Sequence, residues 1–554
     1  MPERPGSPLL VAILLLFPGA FACAAADPGP RWDHRRGWYF APFQLELTPP
    51  SAGVTLRFTT DGSEPTATRG SAWQRPLFLT NTTVVRAVAI AAGRVPSTVE
   101  TRSFIFPGEV YRQTGAGLPG AWGVHEGKPV PASYSPNPGW AGDPNRQAAL
   151  LDALRALPTI SLVIPPEDLF EPERGLYSHP QDTGETWERT ASLEFLPVDG
   201  AKGFQLGCGI RIQGGWSRRP QESPKHSFRL IFRKRHGAAH LDYPLFGPGT
   251  TRFETLILRA GNNNTWLHPS SEERRRADYL RDSWMRATSA AMDRPAARDR
   301  FVHVFLNGLY WGIYDLCERP DANFAASRFG GEAADYDSRN GDKVLGGDDV
   351  AWRRLFRLAN AGVAGVREWE EICGLLDGPA FADYMILNLY GANGDWDRAS
   401  NWYAVRRRQP AGRWMFLVWD GERTLEQAGD NRLADDDDQS PMRLFQKLRE
   451  NSGFRRVLAD RARKHLAEGG ALGPVVAADR YRQLADGLDR AITAEAARWG
   501  HYRRAVHPFK LGPFEDYSRE EHWRPEVKRL IGEYFPRRTG VFRSQLIEAG
   551  LLAP

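Results

Sequence analysis

A glycine pair between two predicted strands is the first place where residue types suggest chemistry. Gly214-Gly215 has no side chains, so its backbone amides can approach an anion closely. Lys225 opens the next predicted strand, where its ammonium group can reach phosphate oxygens, and Arg211 on the preceding strand is a second cation. Surface lysines are common, so this cluster alone is weak support for an anion site.

A second cluster places a charged pair at the end of a predicted strand. Glu318 and Arg319 follow the apolar run Tyr310–Leu316, a position from which side chains often point into a cleft. A glutamate there can pair with a lysine that contacts phosphate. The alternative is a surface ion pair, which contributes little to stability.

The third and fourth clusters supply oxygen ligands. Asp395 and Asp397 form an acidic turn before Asn401, and Asp420 and Glu422 follow an apolar strand. Phosphoryl transfer requires a carboxylate that orients the attacking hydroxyl, and an Asn and an Asp can hold Mg²⁺ near the phosphates. An isolated acidic loop is usually only solvated, so neither cluster is decisive by itself.

Taken together and in this order, the four clusters resemble the CotH kinase family, which is distantly related to protein kinases. The resemblance runs from about Leu157 to at least Leu425. The ordinary kinase signatures HRD, DFG and GxGxxGxV are absent. The most specific unit is Asn-Gly-x-Tyr-Trp-Gly-x-Tyr-x-Leu-x-Glu-Arg at 307–319, and the others are Gly175-Leu176-Tyr177, Trp187-Glu188-Arg189, Pro224-Lys225-His226-Ser227-Phe228 and Trp419-Asp420.

The resemblance implies an atypical kinase that uses Mg²⁺ and ATP to phosphorylate Ser or Thr of other proteins or of itself. Lys225 would contact the nucleotide phosphates, with Glu318 as its orienting partner and Arg211 as a further cation. A structure that places Lys225 well beyond side-chain reach of Glu318 would overturn this kinase-like assignment.

The resemblance also assigns the acidic residues. Asp395 or Asp397 would hold the catalytic position, and Asn401 and Asp420 would bind Mg²⁺. The family often reads Trp-Asp-x-Asp, whereas the last acid here is Glu422, one methylene longer but still able to ligate a metal. This departure keeps a second hypothesis open, a pseudokinase or a structural, binding-only protein of the cell surface or matrix.

The N-terminus has the pattern of a secretory signal peptide. Arg4 precedes the apolar run Leu9–Phe17, and small residues offer cleavage after Ala22 or Ala26. We therefore expect signal residues 1–26 and an exported protein that is secreted, periplasmic or surface-bound. Cys23 suggests lipidation only weakly, because Phe21 fits a lipobox poorly. No other stretch is predicted to span a membrane.

Short alternating strands separated by turns predict a β-sandwich over residues 36–107. Its run Thr59-Thr60-Asp61-Gly62-Ser63-Glu64-Pro65-Thr66 resembles the chitobiase/β-hexosaminidase C-terminal-type module, which is immunoglobulin-like. The resemblance implies a spacer or packing domain, with carbohydrate contact as the other interpretation. A carbohydrate-active enzyme is a third, weaker hypothesis, because that module is not catalytic and sequence spacing does not give the separation of a carboxylate pair.

The predicted fold class is multidomain: the immunoglobulin-like sandwich, then an α+β, two-lobed, atypical kinase-like domain with a helix-rich C-terminal part. A long, irregular Gly- and Pro-rich connector, partly ordered against the next domain, is expected at 108–155. The CotH-like domain is expected at 157–500 and an extension at 501–554. Strands 209–213, 227–232 and 301–316 should lie near one another, with a hairpin at Asn307-Gly308. Helices are predicted at 275–292, 349–377, 379–393, most of 440–500 and 538–549.

Charge and cysteine content exclude other classes. The net charge of +5 is too small and too dispersed for a nucleic-acid-binding protein. Arg274-Arg275-Arg276 is predicted to be a solvated helix face and Asp435–Asp438 a solvated loop. The three cysteines beyond the signal, Cys208, Cys317 and Cys373, cannot all pair and are expected to be mostly free thiols.

Overall fold

The computed structural model describes residues 28–198, 200–397 and 401–554. The predicted signal peptide and Cys23 lie outside these residues. Among the helices described, none is both long and apolar enough to cross a bilayer.

The N-terminal module is made of short antiparallel strands around a small aromatic core. Its main sheet has the order β2-β9-β8-β5-β6, and two two-stranded ribbons, β1-β4 and β3-β7, pack against it. Strand β8 is the longest because alternating apolar residues face a core on both sides of the sheet. The strands are β1 Arg31–Trp32, β2 Gly37–Trp38, β3 Phe43–Leu45, β4 Leu47–Thr48, β5 Val54–Thr59, β6 Ser71–Ala72, β7 Leu77–Leu79, β8 Thr83–Ala91 and β9 Glu100–Ile105.

The predicted irregular connector contains regular structure. A hairpin joins β10 (Ala121–His125) to β11 (Lys128–Pro131), and helix α1 spans Pro144–Leu154. Asp143 caps this helix by accepting hydrogen bonds from two amides of its first turn, and Pro144 occupies the first helical position. The prediction of a largely irregular segment was therefore only partly right.

Seven strands close into a barrel in the order β12-β13-β14-β15-β18-β20-β19. All neighbours are antiparallel except β12 and β19, whose parallel pairing completes the closure. The three segments predicted to lie together are thereby confirmed as parts of one barrel. Its strands are β12 Thr159–Val163, β13 Arg189–Leu196, β14 Phe204–Gln213, β15 Ser227–Ile231, β18 Thr255–Arg259, β19 Asp299–Leu306 and β20 Leu309–Glu318, with the outlying ribbon β16 Leu241–Asp242 and β17 Arg252–Phe253.

The hairpin between β19 and β20 turns where predicted. Asn307 and Gly308 both have positive φ, 47° and 82°, as a two-residue turn of this handedness requires. The Asn307 side chain also bonds the backbone of Ile164 through both its oxygen and its nitrogen, at 2.8 Å each. The turn residue thus also fastens the hairpin to the end of β12.

A four-stranded antiparallel sheet, β22-β21-β23-β24, follows the barrel and lies beside the helices. Of these strands only the last was predicted from its apolar run. They are β21 Tyr336–Asn340, β22 Lys343–Gly346, β23 Trp402–Arg407 and β24 Met415–Val418.

The C-terminal part is helix-rich, as predicted, and packs around the largest apolar core of the chain. Several predicted helices are divided: the segment 349–377 breaks at Gly362, whose φ of 106° does not fit a helix. Helical π-turns at Arg519–Trp523 and Leu530–Tyr534 join the last helices. The helices are α2 Pro166–Leu169, α3 Ser271–Arg275, α4 Arg281–Ala291, α5 Ala322–Phe329, α6 Val350–Ala361, α7 Val366–Cys373, α8 Gly378–Gly391, α9 Pro441–Leu448, α10 Ser452–Leu466, α11 Pro474–Leu488, α12 Ile492–Trp499, α13 Tyr502–Ala505, α14 Arg524–Arg529 and α15 Phe535–Glu548.

Two composition-based predictions can be compared with the structure. The thiols of Cys208, Cys317 and Cys373 are free, as expected. The prediction of a solvated arginine face was wrong for Arg274, which is fully buried. Its guanidinium donates to the Tyr517 hydroxyl and to four backbone carbonyls, so it ties α3 to the C-terminal segment.

Candidate functional site

A cleft with a volume of about 980 Å³ separates the barrel from the four-stranded sheet and its flanking loops. Its barrel wall comes from β14, β15 and the end of β18 with the residues that follow it. Its opposite wall comes from residues 340–345, 392–395, 401 and 419–432. A volume of this size matches the upper end of small-ligand sites. The predicted site residues that line it are Arg211, Asp395, Asn401, Asp420 and Glu422.

Arginines converge on the barrel wall of the cleft. Arg211 and Arg229 are directly opposite each other on β14 and β15, and Arg319 lies on the same wall. Arg211 is paired with Glu188, at 2.8 Å from Nε to Oε2, and Arg319 with Asp321 at 3.0 Å. Arg211 and Arg319 each have a carboxylate partner, and Arg229 differs from them in this respect.

Arg229 is a half-buried cation without a carboxylate partner among the described residues. Its Nε and Nη2 both donate to the neutral amide oxygen of Gln213, at 3.0 and 2.6 Å. Burial, followed by the nearby charge of Arg319, lowers the pKa of Arg229 to about 10. A partly desolvated guanidinium among other cations is stabilised when an anion binds.

A tight turn follows β14 at this wall. Gly214 has a φ of 122°, a region that favours glycine, and a side chain there would meet Ser217 Oγ at 2.6 Å. The turn leads into Trp216, Ser217 and Arg218, which all line the cleft. As predicted from the glycine pair, backbone and not side chains borders the cleft at this point.

Asn401 and Asp420 lie at the same edge of the four-stranded sheet. Trp402 on β23 is opposite Val418 on β24. Asn401 immediately precedes that pair and Asp420 follows it by two residues, so the antiparallel register brings both side chains to the cleft edge. Asp420 has a φ of 61°, and its side chain is 33% exposed.

The two candidate catalytic carboxylates have different surroundings. Asp395 lines the cleft, and the side-chain amide of Asn401 donates to its carbonyl oxygen. Asp397 lies outside the cleft lining and accepts the backbone amides of Met442 and Asp437, at 3.0 and 3.2 Å, next to the start of α9. Burial raises the pKa of Asp397 to about 6. The geometry favours Asp395 for a role in the cleft and a structural role for Asp397.

Glu422 lies on the cleft but is held by protein donors. Oε1 accepts from Arg259 at 2.8 Å, and Oε2 accepts the amides of Asn262 and Asn263 at 3.0 and 2.9 Å. Arg259 also donates to Asp420 Oδ1 at 2.6 Å. These contacts join the turn after β24 to the barrel.

Lys225 is not on the cleft wall, and its predicted pairing with Glu318 is wrong. Its side chain is 1% exposed, and Nζ lies 2.7 Å from Glu495 Oε1 on α12 and 2.5 Å from the carbonyl oxygen of Ile313. Burial lowers the pKa of Lys225. Gly312 makes this arrangement possible, because a side chain there would meet Glu495 Oε2 at 2.5 Å. The ion pair therefore docks α12 onto β20.

Glu318 belongs to a different cluster. It pairs with Arg298 at 3.3 Å and with Arg328, outside the cleft lining. Along β20 it is five residues from Ile313, which contacts Lys225, a distance of roughly 16 Å at the rise of an extended strand. The expected test of the kinase-like arrangement therefore fails for this pair of residues.

Sequence reasoning missed Arg229 and Arg259 as site residues, although one signal was present. On β15 the residues alternate, with Phe228 and Leu230 fully buried in the barrel and Arg229 between them. A charged residue between two core residues of a strand points to the opposite face. For Arg259 no local pattern marked the contact, because its partners Asp420 and Glu422 are more than 160 residues away in sequence.

The residues at the cleft edge fit the needs of a Mg²⁺ ion. Asp420 has one oxygen bonded to Arg259, and no protein donor contacts the other among the described residues. Magnesium is commonly held by one or two protein oxygens together with substrate phosphates and water. Within the described ranges, no group of three or more His, Cys, Asp or Glu side chains is arranged to hold a metal ion.

Comparison with protein families gives two matches. The family model "CotH kinase protein" matches residues 210–539, more than half of the chain. The model "Chitobiase/beta-hexosaminidase C-terminal domain" matches residues 35–101. No curated protein matches the chain. Both resemblances read from the sequence are thereby confirmed, and the failure of the Lys225–Glu318 pair concerns the residue assignment and not the family.

Proposed function

The chain belongs to the CotH kinase protein family, and from this premise we propose that it is an exported atypical protein kinase. It transfers the γ-phosphate of ATP to Ser or Thr of secreted or surface proteins, or to itself, in a Mg²⁺-dependent reaction. The cleft between the barrel and the four-stranded sheet is the proposed site.

The observation that carries this proposal is the half-buried Arg229, whose side-chain partner among the described residues is the neutral Gln213, in a cleft whose opposite edge carries Asn401 and Asp420. Within the described part of the chain this cation has no carboxylate partner, and it shares the cleft with two oxygen ligands that suit Mg²⁺. A metal-bound polyphosphate satisfies both walls of the cleft at once, because it is an anion with a cation attached. In this proposal Arg229, with Arg211 and Arg319 beside it, replaces Lys225 as the principal phosphate contact.

The remaining cleft residues take the roles that phosphoryl transfer needs. The Gly214-Gly215 turn borders the phosphates, and Asp395 accepts a hydrogen bond from the acceptor hydroxyl and orients it. Asn401 and Asp420 would hold Mg²⁺, which offsets charge on the phosphates during transfer when it is bound. Asp397 has a structural role, because it accepts the backbone amides of Asp437 and Met442 at the start of α9.

A binding test with a matched control examines this proposal. The purified protein should bind ATP only when Mg²⁺ is present, measured by calorimetry. Arg229→Met should weaken binding by about tenfold or more, since a charge-assisted contact to phosphate is lost. Arg353→Met is the control: this arginine is 67% exposed, pairs with Asp349 at 3.0 Å and does not line the cleft. Equal effects of the two variants would remove the support for the site.

A second candidate function is a binding-only pseudokinase. Two observations favour it: among the described residues no lysine–glutamate ion pair lies on the cleft, and Asp420 already contacts Arg259. Nucleotide binding without any transfer of phosphate would select this alternative.

The N-terminal module is proposed to act as a packing domain. Ser103 on β9 hydrogen-bonds the fully buried Glu194 of β13, and its hydroxyl lies 2.8 Å from that of Ser161 on β12. This polar contact fixes the module against the barrel. Carbohydrate binding by the module is a further proposal, which glycan-array binding of the intact protein would test.

A further inference from the structure

Arg259 lies where the barrel meets the turn that carries Asp420. Its Nη2 donates to Asp420 Oδ1 and to Glu422 Oε1, and its Nε lies 3.1 Å from Asp282 Oδ2 on α4. The guanidinium carbon is 4.7 Å from the centre of the Trp419 ring, and the side chain is only 11% exposed. One arginine therefore joins three carboxylates at the place where metal ligands are expected.

The two acidic residues of the turn differ in what they can offer a metal. Both oxygens of Glu422 accept hydrogen bonds from protein donors, three in all, and its side chain is 12% exposed. Asp420 is 33% exposed, and within the described part of the chain only its Oδ1 accepts a hydrogen bond. Coordination by Glu422 would leave a buried arginine or a buried amide without its partner, which is unfavourable. Coordination by the second oxygen of Asp420 breaks no contact.

Hydrogen bonds to the backbone of Gly421 and Glu422 also fix the turn after β24. The amide of Gly421 donates to Asp282 Oδ1 at 2.9 Å, and the side-chain amide of Asn264 donates to the carbonyl oxygen of Glu422 at 2.7 Å. Glu422 is thus bonded to the barrel through its side chain and its backbone. Its contacts hold Arg259 and the residues after β18 in place relative to Asp420.

We propose, resting on the function proposed above, that the cleft holds a single Mg²⁺ per nucleotide. Asp420 is its carboxylate ligand, and Arg259, bonded to Asp282, Asp420 and Glu422, supplies among these carboxylates the positive charge that a second ion would otherwise bring. Glu422 is a positioning residue that holds Arg259 and not a metal ligand. Unlike a second metal ion, the guanidinium of Arg259 is part of the chain and cannot be removed by a chelator. The metal content of the site therefore depends on the binding of one Mg²⁺ ion alone.

The test counts bound metal and does not depend on activity. Equilibrium dialysis of the protein against Mn²⁺ and a non-hydrolysable ATP analogue gives the number of Mn²⁺ ions per bound nucleotide. We expect one in the parent, one in Glu422→Gln and two in Arg259→Met, where the freed carboxylates accept a second ion. Arg294→Met, which removes a cation 2.6 Å from Asp383 and away from the cleft, should stay at one.

Several outcomes would overturn the inference. Two Mn²⁺ ions in the parent would refute the single-ion claim, and the loss of an ion in Glu422→Gln would make Glu422 a ligand. If Arg259→Met still binds one Mn²⁺ ion per nucleotide, the charge of Arg259 does not take the place of a second ion. If Arg259→Met does not fold, the isosteric Glu422→Gln still decides the ligand question. A parent that binds no nucleotide at all would refute the proposed function itself, and that result is distinguishable from a wrong metal count.

Discussion

Replacing Lys225 with Met separates a structural role for this lysine from a role in phosphate binding. Lys225 and Glu495 have side chains that are 1% and 0% exposed, with 2.7 Å between Nζ and Oε1. Methionine has a similar shape and no charge, so the variant leaves the buried Glu495 carboxylate without its ion-pair partner. Removing one partner of a buried ion pair costs about 3–5 kcal/mol.

The contacts of Glu495 narrow the expected loss of folding free energy in Lys225→Met. Glu495 keeps the hydrogen bond from the Ile313 amide at 2.7 Å, so we expect the lower end, about 3 kcal/mol. With an unfolding entropy of about 2.1 cal/mol/K per residue over roughly 330 residues of the family region, the melting temperature should fall by about 4 °C. Replacing both partners, Lys225→Met with Glu495→Gln, should recover part of that loss, because the buried Glu495 charge is removed together with its partner. The recovery is incomplete, because the buried Arg498 loses the nearby charge of Glu495.

The assay combines calorimetric melting with nucleotide binding measured well below the melting temperature. We expect Lys225→Met to melt earlier and to bind Mg-ATP within about threefold of the parent, a difference below 1 kcal/mol. An unchanged melting temperature together with binding weakened tenfold or more would refute the reasoning. That result would support the original assignment of Lys225 as a residue that contacts the nucleotide.

Three further predictions follow from the cleft and from the module contact. Asp420→Asn should fold normally, since Asp282 and Glu422 still hold Arg259, and should lose phosphate transfer by about 10²-fold or more in a single-turnover assay. Asp395→Asn should match that loss whereas Asp397→Asn should not, and equal losses would contradict the assignment. Burial raises the pKa of Glu194 from 4.5 to about 6, so the stability that this group contributes is present below pH 4.5 and is lost as the pH rises through 6. Glu194→Gln should therefore stabilise the protein by up to roughly 2 kcal/mol at pH 7.5 and by little at pH 4, and a gain in melting temperature that does not depend on pH would contradict this.

Local features of the fold were predictable where one short segment decides them. Asn307-Gly308 gave the hairpin because two consecutive residues with positive φ specify that turn. The closure of the barrel by β12 and β19 was not predictable, because their parallel pairing joins Thr159 to His303 across the intervening strands. Single-sequence periodicity identifies a strand but not its distant neighbour.

The site shows the same division. Asp395, Asn401 and Asp420 were found because residues at strand ends and in an acidic turn are marked by their types, and the structure places all three on one cleft. The partner of Lys225 was not found, since Glu495 is 270 residues further along the chain on a helix with no motif of its own. The family resemblance located the motif around Lys225 correctly, but burial decides whether its lysine contacts a ligand or another element of the fold.

Transfer of radiolabelled γ-phosphate from ATP to the purified protein, or to co-secreted proteins added to it, tests the central claim most directly. We expect labelled phosphate on Ser or Thr, and we expect labelling to require Mg²⁺ and to stop in EDTA. Arg229→Met should lose the labelling at ATP concentrations that saturate the parent protein but not the variant. Tight Mg-ATP binding without any labelled product, or labelling that Arg229→Met does not change at any ATP concentration, would contradict the account.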